Sequence, residues 1–192
     1  LAHPKFVAGD FNTGFIAENY GKGFHAEDVP HDDPDFPVAL AAWVNRRALQ
    51  RSAGVTGQLR GHEFKVGGGF VVVVTGPHGV QRRQPAVVKD YEAASGSSTV
   101  VTGERSYDIC SQWHLGAARI RGTVNGKPFT AQVERGAGRN PLALRISHDG
   151  TQLDALVFNP RTARLHELMP FKAPPDMSRF VLSPMPGLLV HI

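Results

Sequence analysis

The chain has 192 residues, 41% apolar and 20% charged, with a formal net charge of +4. This is the composition of a globular protein of one or two domains. A single cysteine, Cys110, excludes an internal disulfide framework and fits a reducing compartment.

The first residues, Leu1-Ala2-His3-Pro4, lack the basic and long apolar stretches of a signal peptide. No run reaches the roughly 18–20 apolar residues of a membrane span. Residues 11–24 read as a short helix, capped by Asn12 or Thr13, with Phe15, Ile16 and Tyr20 as its stripe and Gly21 and Gly23 at its end. A longer helix is expected over 34–51. Asp33 or Asp35 suits its N-terminus by capping and by meeting the dipole, and Phe36, Leu40, Val44 and Ala48 recur every fourth residue on one broad side beside Trp43. Arg46, Arg47 and Arg51 gather near its end, and Gly54 can stop it. These arginines, Arg82 with Arg83, and Arg119 with Arg121 form separate groups, which favours solvated faces over a nucleic-acid patch.

Beyond Gly54 the pattern becomes that of strands. Val71 to Val74 form a β-branched run closed by Gly76-Pro77-His78-Gly79, and 98–102 and 106–113 are further candidates. The clearest hairpin pairs 118–124 with 127–133 across Asn125-Gly126, the residues a type I′ turn requires. Leu142, Leu144 and Ile146 alternate, Asp149-Gly150 turns the chain, and 152–158 return as a strand. Six to eight short antiparallel strands at regular spacing predict a barrel or sandwich. A helix over 160–169 starts behind Asn159, and the Pro-rich stretch 171–176 reads as a stiff linker. After Ser183-Pro184-Met185-Pro186-Gly187 an apolar run begins a strand, so a further domain is expected there. The fold class is therefore α+β: a long helix and one antiparallel sheet, each needing the other's apolar face. A sheet wrapped round the helix satisfies both and leaves no edge if it closes.

No catalytic constellation emerges. The nine histidines form no pair at metal-ligand spacing. Cys110, inside Tyr107-Asp108-Ile109-Cys110, is expected to be a small buried residue. Gly67-Gly68-Gly69 precedes a strand and is no dinucleotide fingerprint. Gly21-Lys22 lacks phosphate-loop spacing, and Asp32, Asp33 and Asp35 stand where capping acids belong. A binding or scaffold module is favoured over an active site.

Three stretches together resemble the α subunits of biotin-dependent acyl-CoA carboxylases, most closely the propionyl-CoA carboxylases. His3-Pro4-Lys5-Phe6-Val7 through Asn12-Thr13-Gly14-Phe15-Ile16-Ala17-Glu18 to Gly23-Phe24 resembles the closing helix of the biotin carboxylase domain. Val55-Thr56-Gly57-Gln58-Leu59 with His62-Glu63 resembles the loop entering the next domain's barrel. Glu167-Leu168-Met169-Pro170, Pro174-Pro175-Asp176 and the Ser183 to Leu188 stretch resemble the exit into the biotin carrier domain.

The resemblance implies a biotin carboxylase tail over 1–24, a BT domain (biotin carboxylase–carboxyltransferase interaction domain) over 25–169, a linker over 170–182 and the start of the carrier from 183. It implies a long helix surrounded by a β-barrel of about eight strands. It also implies contact with the carboxyltransferase β subunit in an α/β hetero-oligomer, through the loop 52–64. Its expected contact residues are Val55, Thr56, Gly57, Gln58, Leu59, Arg60 and Phe64. No catalytic or metal-binding residue is expected in this chain, and the biotinyl lysine is expected beyond Ile192. The parent ligase would use biotin, ATP, Mg (or Mn) and bicarbonate to carboxylate propionyl-CoA, in a bacterial cytoplasm or a mitochondrial matrix. No membrane or nucleic-acid partner is implied. A different class of reading is a free-standing barrel that binds an acyl or lipid ligand, which requires an empty interior with the helix outside. A third, a small hydrolase, would use Cys110 with a histidine.

Overall fold

The computed structural model describes residues 4–19, 21, 33–75, 81–136 and 140–169. The expected linker and the strand after Gly187 lie outside them, as does the turn at 76–79. Two five-residue helices come first, α1 (Pro4–Ala8) and α2 (Phe15–Asn19). The helix expected over 11–24 is thus much shorter, and its supposed stripe residue Ile16 is exposed. Asn12 Oδ1 accepts the Gly14 N–H at 2.6 Å, and Phe6, Phe11 and Phe15 pack their rings together instead of presenting a helical stripe.

Helix α3 (Phe36–Ala53) leads into eight strands: β1 (Gly69–Thr75), β2 (Gln81–Lys89), β3 (Ser97–Thr102), β4 (Arg105–Cys110), β5 (Arg119–Val124), β6 (Lys127–Arg135), β7 (Ala143–His148) and β8 (Thr151–Phe158). Each pairs antiparallel with the next in sequence, and β1 pairs with β8, so the barrel closes. Asn125 and Gly126, at φ 49° and 77°, make the expected hairpin turn between β5 and β6. A short helix, α4 (Pro160–Glu167), follows, with the Asn159 side chain accepting the Thr162 N–H at its N-terminus.

Helix α3 fills the barrel. Residues 38–44 are all 0% exposed, on every side of the helix and not only the one the pattern suggested. A helix apolar all round is buried all round. Ala39, Ala41 and Ala42 keep it thin, while Ala86, Ala131 and Ala155 line the facing strands. Small residues on both surfaces answer the limited room inside an eight-stranded barrel. Strand alternation supplies the rest of the lining: Val100, Tyr107, Ile109, Phe129, Val133, Leu144 and Ile146 point inward.

Three expectations need correction. Strand β2 was not foreseen, because Gln81-Arg82-Arg83-Gln84-Pro85 looks polar and proline interrupts a ladder. Here Pro85 pairs with β1 only, and the β2–β3 ladder begins at Ala86. Asp33 and Asp35 do not cap α3 through their side chains. Asp35 makes no side-chain cap bond; its Oδ1 accepts from Gln84 at 2.9 Å and Arg82 at 3.3 Å. Asp33 Oδ1 accepts from Arg105 Nη1 and Tyr107 Oη, both at 2.6 Å. The two acids tie the start of the helix to the barrel wall. Finally, Cys110 is exposed, because Tyr107 and Ile109 take the inward parity of β4.

Candidate docking loop at the mouth of the barrel

After Val44 the helix leaves the barrel. Its arginines turn sideways onto the rim. Arg47 donates to the Ser111 carbonyl at 3.1 Å with its guanidinium 5.2 Å from the Trp43 ring, and Arg46 lies 4.3 Å over Tyr91. Burial lowers the Arg46 pKa, while the electrostatic pull of the Tyr91 phenol group opposes that shift. Trp43 donates its indole N–H to Gly96 O at 3.2 Å and packs against Trp113. The helix ends where the Gly54 N–H reaches back to Gln50 O and Arg51 O.

Residues 54–68 then return the chain to β1. Residues 52 and 53, read as loop, belong to α3. Gly57 and Gly61 take φ values of 86° and 83°, which a side chain would strain, and these let the loop fold back. The His62 N–H bonds to Leu59 O at 3.0 Å, and the Gly61 N–H bonds to Glu63 Oε1 at 3.0 Å. Backbone donors at Gly61 and at Glu63 itself hold the Glu63 carboxyl below its ordinary range.

All seven residues predicted for the contact lie in this one segment. Val55 is 62% exposed, Leu59 75% and Phe64 51%, and Thr56, Gly57 and Arg60 also face solvent. Gln58 does not. Its Nε2 donates to Ala53 O at 2.7 Å and Val55 O at 2.9 Å, and its Oε1 accepts the Phe64 N–H at 2.7 Å. Sequence reasoning missed two apolar residues that line separate openings beside α3. Leu115, from the β4–β5 connection, lines a groove with Arg51, Ser52, Gly54 and Val55. Leu142, expected within a strand, precedes β7 and is 67% exposed where α3 emerges. The residues around Leu115 gave no periodic signal, and the alternation of Leu142 with Leu144 and Ile146 pointed to a buried strand position instead.

The arrangement suits association better than bond chemistry. Three apolar side chains on a fixed loop offer area whose desolvation is worth about 1.5–3 kcal/mol each, before the costs of association. Cys110 Sγ lies 3.9 Å from the Ser95 carbonyl, and no histidine stands beside it among the described residues. Among those residues no three His, Cys, Asp or Glu side chains converge to hold a metal, and no helix is long and apolar enough to cross a membrane. With α3 inside, the barrel lacks the empty interior that a ligand carrier requires.

The fold thus defines a helix-filled antiparallel barrel with an ordered apolar loop at one mouth. The family described as propionyl-coenzyme A carboxylase BT domain matches residues 38–172, which take in nearly all of α3, the whole barrel and α4. The chain belongs to this family. It is 35% identical over 192 residues to the propionyl-CoA carboxylase alpha chain of Ruegeria pomeroyi, covering all of this chain and 27% of that protein. The mitochondrial propionyl-CoA carboxylase alpha chains of Caenorhabditis briggsae and Mus musculus are 26% and 24% identical over 198 and 197 residues, again across this whole chain and 26% of theirs. The chain therefore spans about a quarter of the length of the curated relatives it matches.

Proposed function

We propose that this chain is the non-catalytic joint of a biotin-dependent propionyl-CoA carboxylase α subunit, and that it docks the carboxyltransferase β subunit through residues 54–64. The observation that carries the reading is the loop itself. Val55, Leu59 and Phe64 are exposed on a segment held by internal hydrogen bonds. Ordered apolar side chains left in water mark a contact surface. In the parent enzyme, ATP and bicarbonate with Mg (or Mn) would carboxylate biotin, and the β subunit would pass the carboxyl group to propionyl-CoA. The described residues bring together no donor set for a metal, so no step of that chemistry is assigned to them. Their part is to hold the two catalytic bodies together in an α/β hetero-oligomer. The same domain plan serves a bacterial cytoplasmic enzyme or a mitochondrial one.

The test is co-purification of the full-length α chain with its β subunit. Leu59→Asp places a carboxylate where an apolar anchor stands, and it is expected to reduce association at least tenfold, the loss typical of a well-buried interface residue. Undiminished assembly of that variant refutes the loop assignment.

A further inference from the structure

We propose that Gln58 is a positioning residue that clasps the docking loop into its binding shape before any partner arrives. The inference rests on the docking role proposed above for this loop and adds how the loop is regulated into one conformation. Gln58 is the one member of the seven whose side chain turns onto the loop's own backbone. Its amide uses both faces. Nε2 donates to the carbonyls of Ala53 and Val55 at 2.7 and 2.9 Å, and Oε1 accepts from the Phe64 N–H at 2.7 Å. Ala53 is the last residue of α3, whose final carbonyls lack helical partners. A single side chain therefore bridges the end of a rigid helix to the Phe64 N–H, six residues beyond Gln58 itself.

The placement matters because of what the clasp spans. Leu59 follows Gln58 directly, and Phe64 supplies the N–H that the clasp holds, so the separation of these two exposed apolar side chains is set by the Gln58 amide. Val55, the third, contributes one of the accepting carbonyls. Of the other ties, the Val55 N–H to Ser52 O bond at 3.4 Å holds only the first loop residues to the helix, whereas His62 N–H to Leu59 O and Gly61 N–H to Glu63 Oε1 lie within the tip and do not reach it. Without Gln58 the tip can keep its turn yet lose its orientation to α3. A loop that must be ordered at the moment of docking binds through a minor population, and its apparent affinity falls by the fraction that is competent. The polar residue among the apolar anchors then acts on the partner through them.

The experiment compares the natural full-length chain with Gln58→Ala, free and with the carboxyltransferase β subunit. In the free variant the Phe64 amide is expected to exchange with solvent about tenfold faster or more, while amides of the barrel ladder keep their protection, as local opening requires. Affinity for the β subunit is expected to fall about tenfold, with most of the loss in the association rate, as a smaller competent population demands. Unchanged Phe64 exchange overturns the proposal, because Gln58 is then either idle or a direct contact. Faster exchange with unaltered affinity overturns it as well, because the order would serve no docking. Leu59→Asp separates the two readings: full binding by that variant removes the docking role, whereas Phe64 exchange reports the clasp whether or not the loop docks.

Discussion

The two ends of α3 belong to one helix of 18 residues and live in opposite environments. At the first end Phe36 is almost wholly buried, with its ring 5.1 Å from Phe129, 4.9 Å from His148 and 5.9 Å from Tyr107. Below it Asp33 and Asp35 bind the wall through Arg105, Tyr107, Arg82 and Gln84. At the second end Arg51 and Ser52 are exposed, and the chain runs into a loop whose apolar side chains have no cover. Stability is concentrated at the closed end and along the enclosed turns. The open end spends its hydrogen bonds on shape instead. A helix anchored this firmly at one end can present the other as a fixed post.

The contrast is sharpened by substitutions graded along it. Trp43→Ala empties the largest fully buried side-chain site and orphans the Gly96 carbonyl. It is expected to cost about 3–5 kcal/mol in urea or thermal unfolding, within the range for buried aromatics. Tyr107→Phe removes the hydroxyl that donates to Asp33 at 2.6 Å. Burial first, then the Asp33 bond, raises the Tyr107 pKa far above that of an ordinary phenol, so the hydroxyl remains a donor at every physiological pH. Its loss is expected to cost about 1–2 kcal/mol, the scale of a hydrogen bond to a carboxylate at a partly wet site.

On the outer wall Arg145 grips Asp154 with two bonds of 2.7 and 2.8 Å, and this lowers the Asp154 pKa from 3.8. A depressed carboxylate stabilises the fold above its unfolded pKa and loses that contribution as the pH falls through its folded one. Asp154→Asn is therefore expected to be less stable than the natural chain by about 0.2–1 kcal/mol at pH 7, because the pair is partly exposed. The gap should close in acid, as the pH falls through the lowered pKa of Asp154. Smallest of all is the expected stability change for Leu59→Asp, within about 0.5 kcal/mol, since Leu59 supports nothing in the free domain. A large destabilisation there would erase the distinction between the two ends.

The hairpins were legible because their chemistry is local. Asn125-Gly126 and Asp149-Gly150 specify their turns by residue type, and Leu144 and Ile146 declare the inward face of β7 by period. The need to bury the helix pointed to a sheet wrapped round it, while a barrel of about eight strands was what the family resemblance implied. Strand β2 was hidden because its first half is held by partners remote in sequence: Arg82 by Asp35, and Arg83 by Glu167 at 3.1 Å. The run Val71 to Val74 reads as uninterrupted for a related reason. Val72 faces α3, while Val73, on the opposite parity, is also fully buried on the wall against which α4 packs. The seven loop residues were singled out by resemblance alone, since exposed Val, Leu and Phe among glycines look the same whether they contact a partner or only water. That Gln58 differs from the other six depends on an amide orientation that no spacing rule encodes.

The pairing of β1 with β8 joins the barrel's earliest strand to its latest, Val71 opposite Phe158. During synthesis α3 and seven strands therefore emerge before the seam can shut, and the helix must already be seated because a closed wall offers no way in. Formation of the domain is a wrapping event whose last contact spans nearly the whole barrel sequence, and such distant pairings are slow to find. Until β8 arrives, β1 and β7 have unpaired edges and the apolar helix is only partly covered, which makes the unfinished barrel the stage most open to capture by other chains.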